Sequence, residues 1–215
     1  MPRVVLSSPD RKARLRLEPD PDGQWWTLYH APEPDRLAWY ASFGARTPVE
    51  LIAAFTDALT DPALPADASS DPFAPLQQIG WAPAFADNGR VSPDGTAYVQ
   101  RLGSAEEPGT WFVTAALGQD RPVWQARFGT HTPARLVAAF TAALADPQPV
   151  PRFDSGRSLA TLDPNVVTRT ATDVLAVYVA GALEERVHSL AARHTAPSSS
   201  PTPSRQPQTK NSRSR

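Results

Sequence analysis

The chain has 215 residues, 41% of them apolar and 20% charged, with a net charge of −1 and no cysteine. That length allows one medium domain or two small ones with extensions. Without cysteine there is no disulfide, thiol chemistry or cysteine-ligated zinc, and no stretch nears the roughly 20 apolar residues of a membrane span.

The opening segment, "MPRVVLSSPDRKARLRLEPD", has no apolar run of signal-peptide length, so we expect no export signal and a cytoplasmic chain. Period-2 patterning predicts strands over "RVVL", "RKARLRLE", "WWTLYH" and "LAWYASFG". In the second, Ala13, Leu15 and Leu17 alternate with Lys12, Arg14 and Arg16; in the fourth, Leu37, Trp39, Ala41 and Phe43 share a face. The clusters "SPDR", "EPDPDG" and "APEPDR" separate them, as turns between antiparallel strands do. The period then lengthens. In "TPVELIAAFTDALTDP", Leu51, Ile52, Phe55 and Leu59 fall on one helical face. Thr47 is expected to cap that helix, with Pro48 in its first position and Asp61-Pro62 ending it.

The plan then returns. "WYASFGARTPVELIAAFTDALTDP" from Trp39 reappears as "WQARFGTHTPARLVAAFTAALADP" from Trp124, with 15 of 24 positions identical and no gap. Upstream, "SPDRKARLRL" from Ser8 matches "SPDGTAYVQRL" from Ser92, and "WWTLY" at Trp25 aligns with "WFVTA" at Trp111. The shared residues are those that pack or turn. The polar ones differ: Arg46 stands against His131, Glu50 against Arg135 and Asp57 against Ala142. Repetition here preserves a way of folding. A unit of about 60 residues is marginal alone, so the copies are expected to pack together. In the joining segment, Ile79 and Trp81 are expected to cover the second copy. Trp25/Trp111 and Trp39/Trp124 read as core pairs, while the unmatched Trp26 and Trp81 read as the more exposed tryptophans.

Beyond Pro147 a proline-punctuated stretch leads to "TATDVLAVYVAGALEERVHSLAARH". There Thr172 is a candidate cap, and Leu175, Tyr178, Val179, Leu183, Val187 and Leu190 form a stripe, for docking on the body or for self-association. The last 21 residues, from Thr195, hold four basic groups and no acid; taking +4 from the net −1 leaves the remainder at −5. This tail is expected to be disordered. The expected organisation is a first repeat over 1–66, a second over 67–150, the proline-rich stretch and C-terminal helix over 151–194, and a basic tail over 195–215. The fold class is α+β: two tandem pseudo-symmetric units, each a small antiparallel meander followed by one amphipathic helix, plus a C-terminal helix.

With Ser-Pro-Asp opening a copy and "TPxxLxAAFTxAL-DP" closing it, the chain resembles SPDY, a Streptomyces domain family of unknown function whose members mostly carry two copies. The resemblance runs from roughly Val4 to Pro147, and copy one lacks a counterpart to "PLQQIGWAPAF". It implies lineage and no catalytic residue.

No reactive constellation emerges. His30, His131, His188 and His194 do not align between copies, and the last two are six apart, off the spacing of helical metal ligands. "DSGRS" at Asp154 to Ser158 lacks the setting of a nucleophile elbow, and no glycine-rich phosphate loop occurs. Asp10/Asp94 and Asp61/Asp146 read as turn and helix-end residues, and Thr56/Thr141 as hydroxyls that bond their own backbone or pack. No metal and no cofactor are expected.

Two features suit binding: the basic strand face of Lys12, Arg14 and Arg16 beside Trp25 and Trp26, and the basic tail with Arg205 and Lys210. Three functions stay open. The first is a non-enzymatic intracellular binding or assembly module of unknown partner, protein or nucleic acid but not membrane. The second is a nucleic-acid-associated accessory protein using that face and tail. The third is an enzyme with carboxylates gathered where the copies meet.

Overall fold

The computed structural model describes residues 4–8, 10–18, 23–61, 70–103, 109–117, 122–148, 173 and 175–195. They fall in two compact units, Met1–Thr168 and Arg169–Arg215. The first contains strands β1 (Val4–Ser7), β2 (Ala13–Leu17), β3 (Gln24–His30) and β4 (Trp39–Gly44), then helix α1 (Val49–Thr60). A short helix α2 (Ala74–Gln78) and a small hairpin, β5 (Ala82–Ala84) and β6 (Gly89–Val91), follow. Strands β7 (Ala97–Leu102), β8 (Thr110–Ala116) and β9 (Pro122–Phe128) and helix α3 (Ala134–Ala145) complete it. The second unit holds α4 (Ala176–Thr195), on which Val177, Tyr178 and Val187 are exposed, as is Leu175 just before it. Thr172 and the tail with Arg205 and Lys210 lie outside the described residues, as do the side chains of Val179, Leu183 and Leu190.

The described strands form one antiparallel sheet in the order β1-β2-β3-β4-β9-β8-β7-β6-β5. The two meanders therefore join edge to edge through β4 and β9. At this seam Ala41 lies opposite Phe128, Ser42 opposite Arg127 and Phe43 opposite Ala126. Each copy sets its phenylalanine against the other's alanine, so large and small side chains interlock.

One face of the sheet carries the core. Trp39, Ala41 and Phe43 from β4, and Ala126 and Phe128 from β9, are buried beneath Leu51, Ile52 and Phe55 of α1 and Leu136, Val137 and Phe140 of α3. At the centre stand Phe43, Phe55, Phe128 and Phe140, all fully buried. Phe43 stacks on Phe140 with ring centroids 5.9 Å apart, and Phe55 on Phe128 at 5.3 Å. Edge-to-face contacts at 5.7 Å (Phe43–Phe55) and 5.2 Å (Phe128–Phe140) close the cluster. Such geometry lets each ring present its positive edge to a neighbour's negative face. The helices run antiparallel: Arg135, at the start of α3, donates from Nη1 to the Ala58 carbonyl near the end of α1 at 2.7 Å.

The joining segment folds onto the second copy through Phe73, Leu76 and Trp81, which join the core, whereas Ile79 is exposed. Thr141, fully buried on α3, donates its hydroxyl to the Pro72 carbonyl at 2.7 Å. Its counterpart Thr56 bonds its own helix at the Ile52 and Ala53 carbonyls. The shared hydroxyl thus serves two purposes, and in copy two it pins the linker.

Three local expectations change. Helix α1 begins at Val49, with Pro48 in the cap position and no side-chain capping bond, and α3 starts the same way at Pro133. The Thr132 hydroxyl goes instead to the Tyr40 carbonyl across the seam, at 3.0 Å. A bulge between Gln24 and Trp26 shifts the tryptophan alignment by one: Trp26 pairs with Phe43 as Trp111 pairs with Phe128. Trp26 and Trp81 accordingly pack in or against the core, and Trp25 is the exposed one. Leu37 lies outside β4 and is 63% exposed.

Truncating Phe43 or Phe128 to alanine is expected to cost about 3–5 kcal/mol. Because the rings belong to both copies, thermal unfolding followed by circular dichroism and by tryptophan fluorescence should show one coincident transition. Two separated transitions would contradict a shared core.

Candidate binding surface

Helices α1, α2 and α3 lie on one side of the sheet; alternation sends every second strand residue to the other side. The nine strands contain Arg14, Arg16, Arg90, Arg101 and Arg127 but no aspartate or glutamate. Arg90 and Arg101 point to the helix side, where Arg90 sits 4.7 Å over the Phe73 ring and Arg101 6.0 Å over Trp111. The other three lie on the opposite face, which α1, α2 and α3 leave uncovered.

Two transverse rows organise that face. In the first, Ser7, Arg14, Tyr29 and Tyr40 are direct partners on successive strands. Gly129 continues it, donating its N–H to the Tyr40 carbonyl at 2.8 Å. A Cβ at Gly129 would fall 2.7 Å from the Tyr40 ring, so glycine is what lets this ring lie across the seam. The second row runs Val5, Arg16, Thr27, Ser42, Arg127, Phe112, Gln100 and Gly89, unbroken over eight strands. Arg127 donates from Nε to Gln125 Oε1 at 2.8 Å, and the Gln125 amide donates to Thr114 Oγ1 at 3.1 Å.

A strained turn finishes the surface. Phe85, Ala86 and Asp87 all have left-handed φ angles, 55°, 50° and 68°. That conformation costs about 1–2 kcal/mol for each residue bearing a Cβ. It folds the Phe85 ring over Gly89, where any Cβ would collide at 2.4 Å, and sets it 5.8 Å from Tyr98.

Of the residues singled out in the sequence, Arg14, Arg16 and Trp25 share the uncovered side, Trp26 turns to the core, and Lys12 sits at the rim. Lys12 pairs with Glu33, which raises the lysine's pKa and lowers the glutamate's, the hydrogen bond between them being the main cause. Arg16 pairs with Glu18 at 2.7 Å. No carboxylate partner is seen for Arg14 or Arg127 among the described residues. Sequence reasoning missed Tyr40, Arg127 and Phe112: alternation sets each opposite its core neighbours, but only the β4–β9 pairing brings them onto one face with Arg14 and Arg16.

Among the described residues no group of three His, Asp or Glu side chains is placed to hold a metal, and no helix is long and apolar enough to cross a membrane. His30 stacks on Trp39 at 5.1 Å and its Nδ1 meets the Ala31 carbonyl, while His131 is solvent-exposed. A cleft of about 450 Å³ near Phe73, Arg101 and Trp111 includes Asp71 and Asp87. Asp71 is occupied in local structure, accepting the Phe73 N–H at 2.9 Å.

A family model for SPDY, a domain of unknown function (DUF317), matches residues 7–65 and 91–150. The chain belongs to the SPDY family. No curated protein and no solved structure matches it.

The SPDY signature itself proves to be a turn. In the first copy the Ser8 hydroxyl donates to Asp10 at 2.5 Å and accepts the Ala13 N–H at 2.9 Å, while Asp10 takes the Lys12 N–H at 3.1 Å. The second copy repeats this with Ser92, Asp94, Ala97 and Thr96. Both turns need a left-handed residue after the aspartate, supplied by Gly95 at φ 69° but by Arg11 at φ 61°. Hydrogen bonding lowers the Asp10 pKa, chiefly from Ser8. At Asp94 burial pushes upward, but the bonds from Ser92 and Thr96 outweigh it and the net shift is down.

Because both carboxyls titrate lower when folded, their stabilisation is complete above the ordinary value of 3.8 and disappears as pH falls through the lowered values. Replacing Asp94 with asparagine should therefore flatten the acid limb of Tm against pH. Arg11→Gly should stabilise by about 0.5–1 kcal/mol, and Gly95→Arg should do the reverse. Equal Tm values for wild type and Arg11→Gly would show that the left-handed strain is not felt.

Proposed function

We propose that the protein is a non-enzymatic binding or assembly module whose working surface is the uncovered face of the sheet. The supporting observation is the acid-free run of arginines and aromatic rings on that face, set against a chain whose remaining charge is net acidic. The repeats 1–66 and 67–150 then act as one unit rather than as two sites. Their pairing supports a two-fold relation through Ser42 and Arg127, residues that occupy the same position in each copy and face each other. An enzyme built from carboxylates at the seam has no such support, since four phenylalanine rings fill it.

Divergence between the copies fits this reading. At the seam, counterparts facing the helices are identical (Trp39/Trp124, Ala41/Ala126, Phe43/Phe128), whereas on the open face Arg14 answers to Tyr98, Arg16 to Gln100, Tyr29 to Thr114 and Tyr40 to Gln125. Packing constrains the first set, and the partner shapes the second.

Full-length protein immobilised and exposed to extract of its source cells should retain a partner that Tyr29→Ala/Tyr40→Ala loses and Ile79→Ala, altered on the helix side, keeps. Retention by the tyrosine double variant would place binding elsewhere. Turnover of a small molecule without any retained partner would refute a binding module.

A further inference from the structure

Resting on the reading of the open face as a binding surface, we infer that its partner is single-stranded nucleic acid, with bases on the Tyr29–Tyr40 platform and phosphates at Arg14, Arg16 and Arg127. Three features of the face converge on this chemistry. The first is charge: no acid interrupts the strands, and Arg14 and Arg127 flank the tyrosines from opposite sides of the seam. With strands about 4.8 Å apart, Arg16 and Arg127 stand about 14 Å from each other along one row. This is a track for an extended anion, not a pocket for a compact one.

The second feature is the rings. Tyr29 and Tyr40 are 49% and 45% exposed on directly opposed positions. Exposed aromatics beside guanidinium groups are what unpaired bases stack on, whatever their sequence. A duplex hides its base faces and would use only the arginines. The third is pre-organisation: Gly129 makes room for the Tyr40 ring, and the left-handed turn at Phe85 to Asp87 holds another ring on the same side. Strain of this sort persists where the surrounding structure enforces it, and it concentrates at working surfaces.

Arg16 must leave Glu18 to reach a phosphate, and Lys12 stays matched with Glu33. Binding is therefore carried by few ionic contacts and depends on stacking.

The test uses the full-length chain and fluorescein-labelled single-stranded DNA and RNA of about 12 nucleotides, followed by anisotropy at about 50 mM salt and upward. Wild type should bind single strands at least about tenfold tighter than the matching duplex, with affinity falling as salt rises. Tyr29→Ala/Tyr40→Ala should weaken binding about tenfold or more without changing the salt slope. Arg14→Glu, wholly on the surface, should weaken it and reduce the slope by about 0.7 for each lost phosphate contact. Gly129→Ala, which crowds the Tyr40 ring, should mimic loss of the tyrosine while leaving the salt slope intact.

Equal affinity for duplex and single strand overturns the inference, as does loss confined to alanines at Arg205 and Lys210. So does the absence of binding at low salt. In that last case the cell-extract experiment separates the two levels: a partner retained through Tyr29 and Tyr40 leaves the binding module standing without nucleic acid, and no partner removes both.

Discussion

Everything in the fold leans on the pairing of β4 with β9 beneath four phenylalanine rings. Either meander, with its single helix, could bury only a modest apolar face, and a unit of that size sits at the margin of stability. Joining the two edges removes both problems at once. It satisfies the backbone N–H and C=O groups that each meander would otherwise leave open on one side. It also merges two thin hydrophobic layers into one core whose centre lies at the join. The Ala41–Phe128 and Phe43–Ala126 pairs show how tightly this is set. A ring on one strand needs the small residue on the other, so neither copy can change these positions alone. This explains why identity between the copies is concentrated where they touch.

The same join decides where function has room. With α1 and α3 side by side on one face, the opposite face is left as a broad ledge crossing both copies. Residues there escape the reciprocal constraint that governs the core, and they have diverged accordingly: Arg14, Arg16, Tyr29, Tyr40 and Ser42 in the first half answer to Tyr98, Gln100, Thr114, Gln125 and Arg127 in the second. Tyr40 shows the two demands meeting in one residue. Its carbonyl takes the Gly129 N–H and the Thr132 hydroxyl and so helps lock the seam, while its ring lies in the open. Backbone serves the fold and side chain serves the surface.

Much of this was readable in the letters because the relevant forces are local. Alternation placed Arg14 and Arg16 opposite Leu15 and Leu17, and the lengthening of the period at Thr47 announced a helix. Proline and aspartate clusters marked the turns, down to the SPDY signature. What escaped reading has no local trace. Pairing between strands 85 residues apart leaves no pattern in either one, so Arg127 and Phe112 could not be grouped with Tyr29. The bulge at Gln24 moved the tryptophan register by one residue, and a single step exchanges inside for outside. Thr47 reads as a cap because threonine usually is one, but neither helix has a side-chain cap, and the counterpart Thr132 bonds a cross-seam carbonyl instead. Ile79, apolar yet exposed, fails for the converse reason: Phe73, Leu76 and Trp81 already fill the ground it was expected to cover.

Charge placement sets the character of any interaction at the ledge. The body is net acidic, but among the described residues the strands carry no acid and their only charged side chains are arginines. A long polyanion wrapping the molecule would meet Asp10, Glu18 and Glu33 at the rim of the first copy and be repelled there. A short stretch crossing the sheet would meet Arg14, the two tyrosines and Arg127 first. Few neutralised phosphates release few counterions, so the electrostatic part of the affinity is small and readily screened. Contact between rings does not share that sensitivity. An acidic rim around a basic, aromatic centre therefore selects for partners that offer flat faces as well as charge, and discriminates against those that offer charge alone.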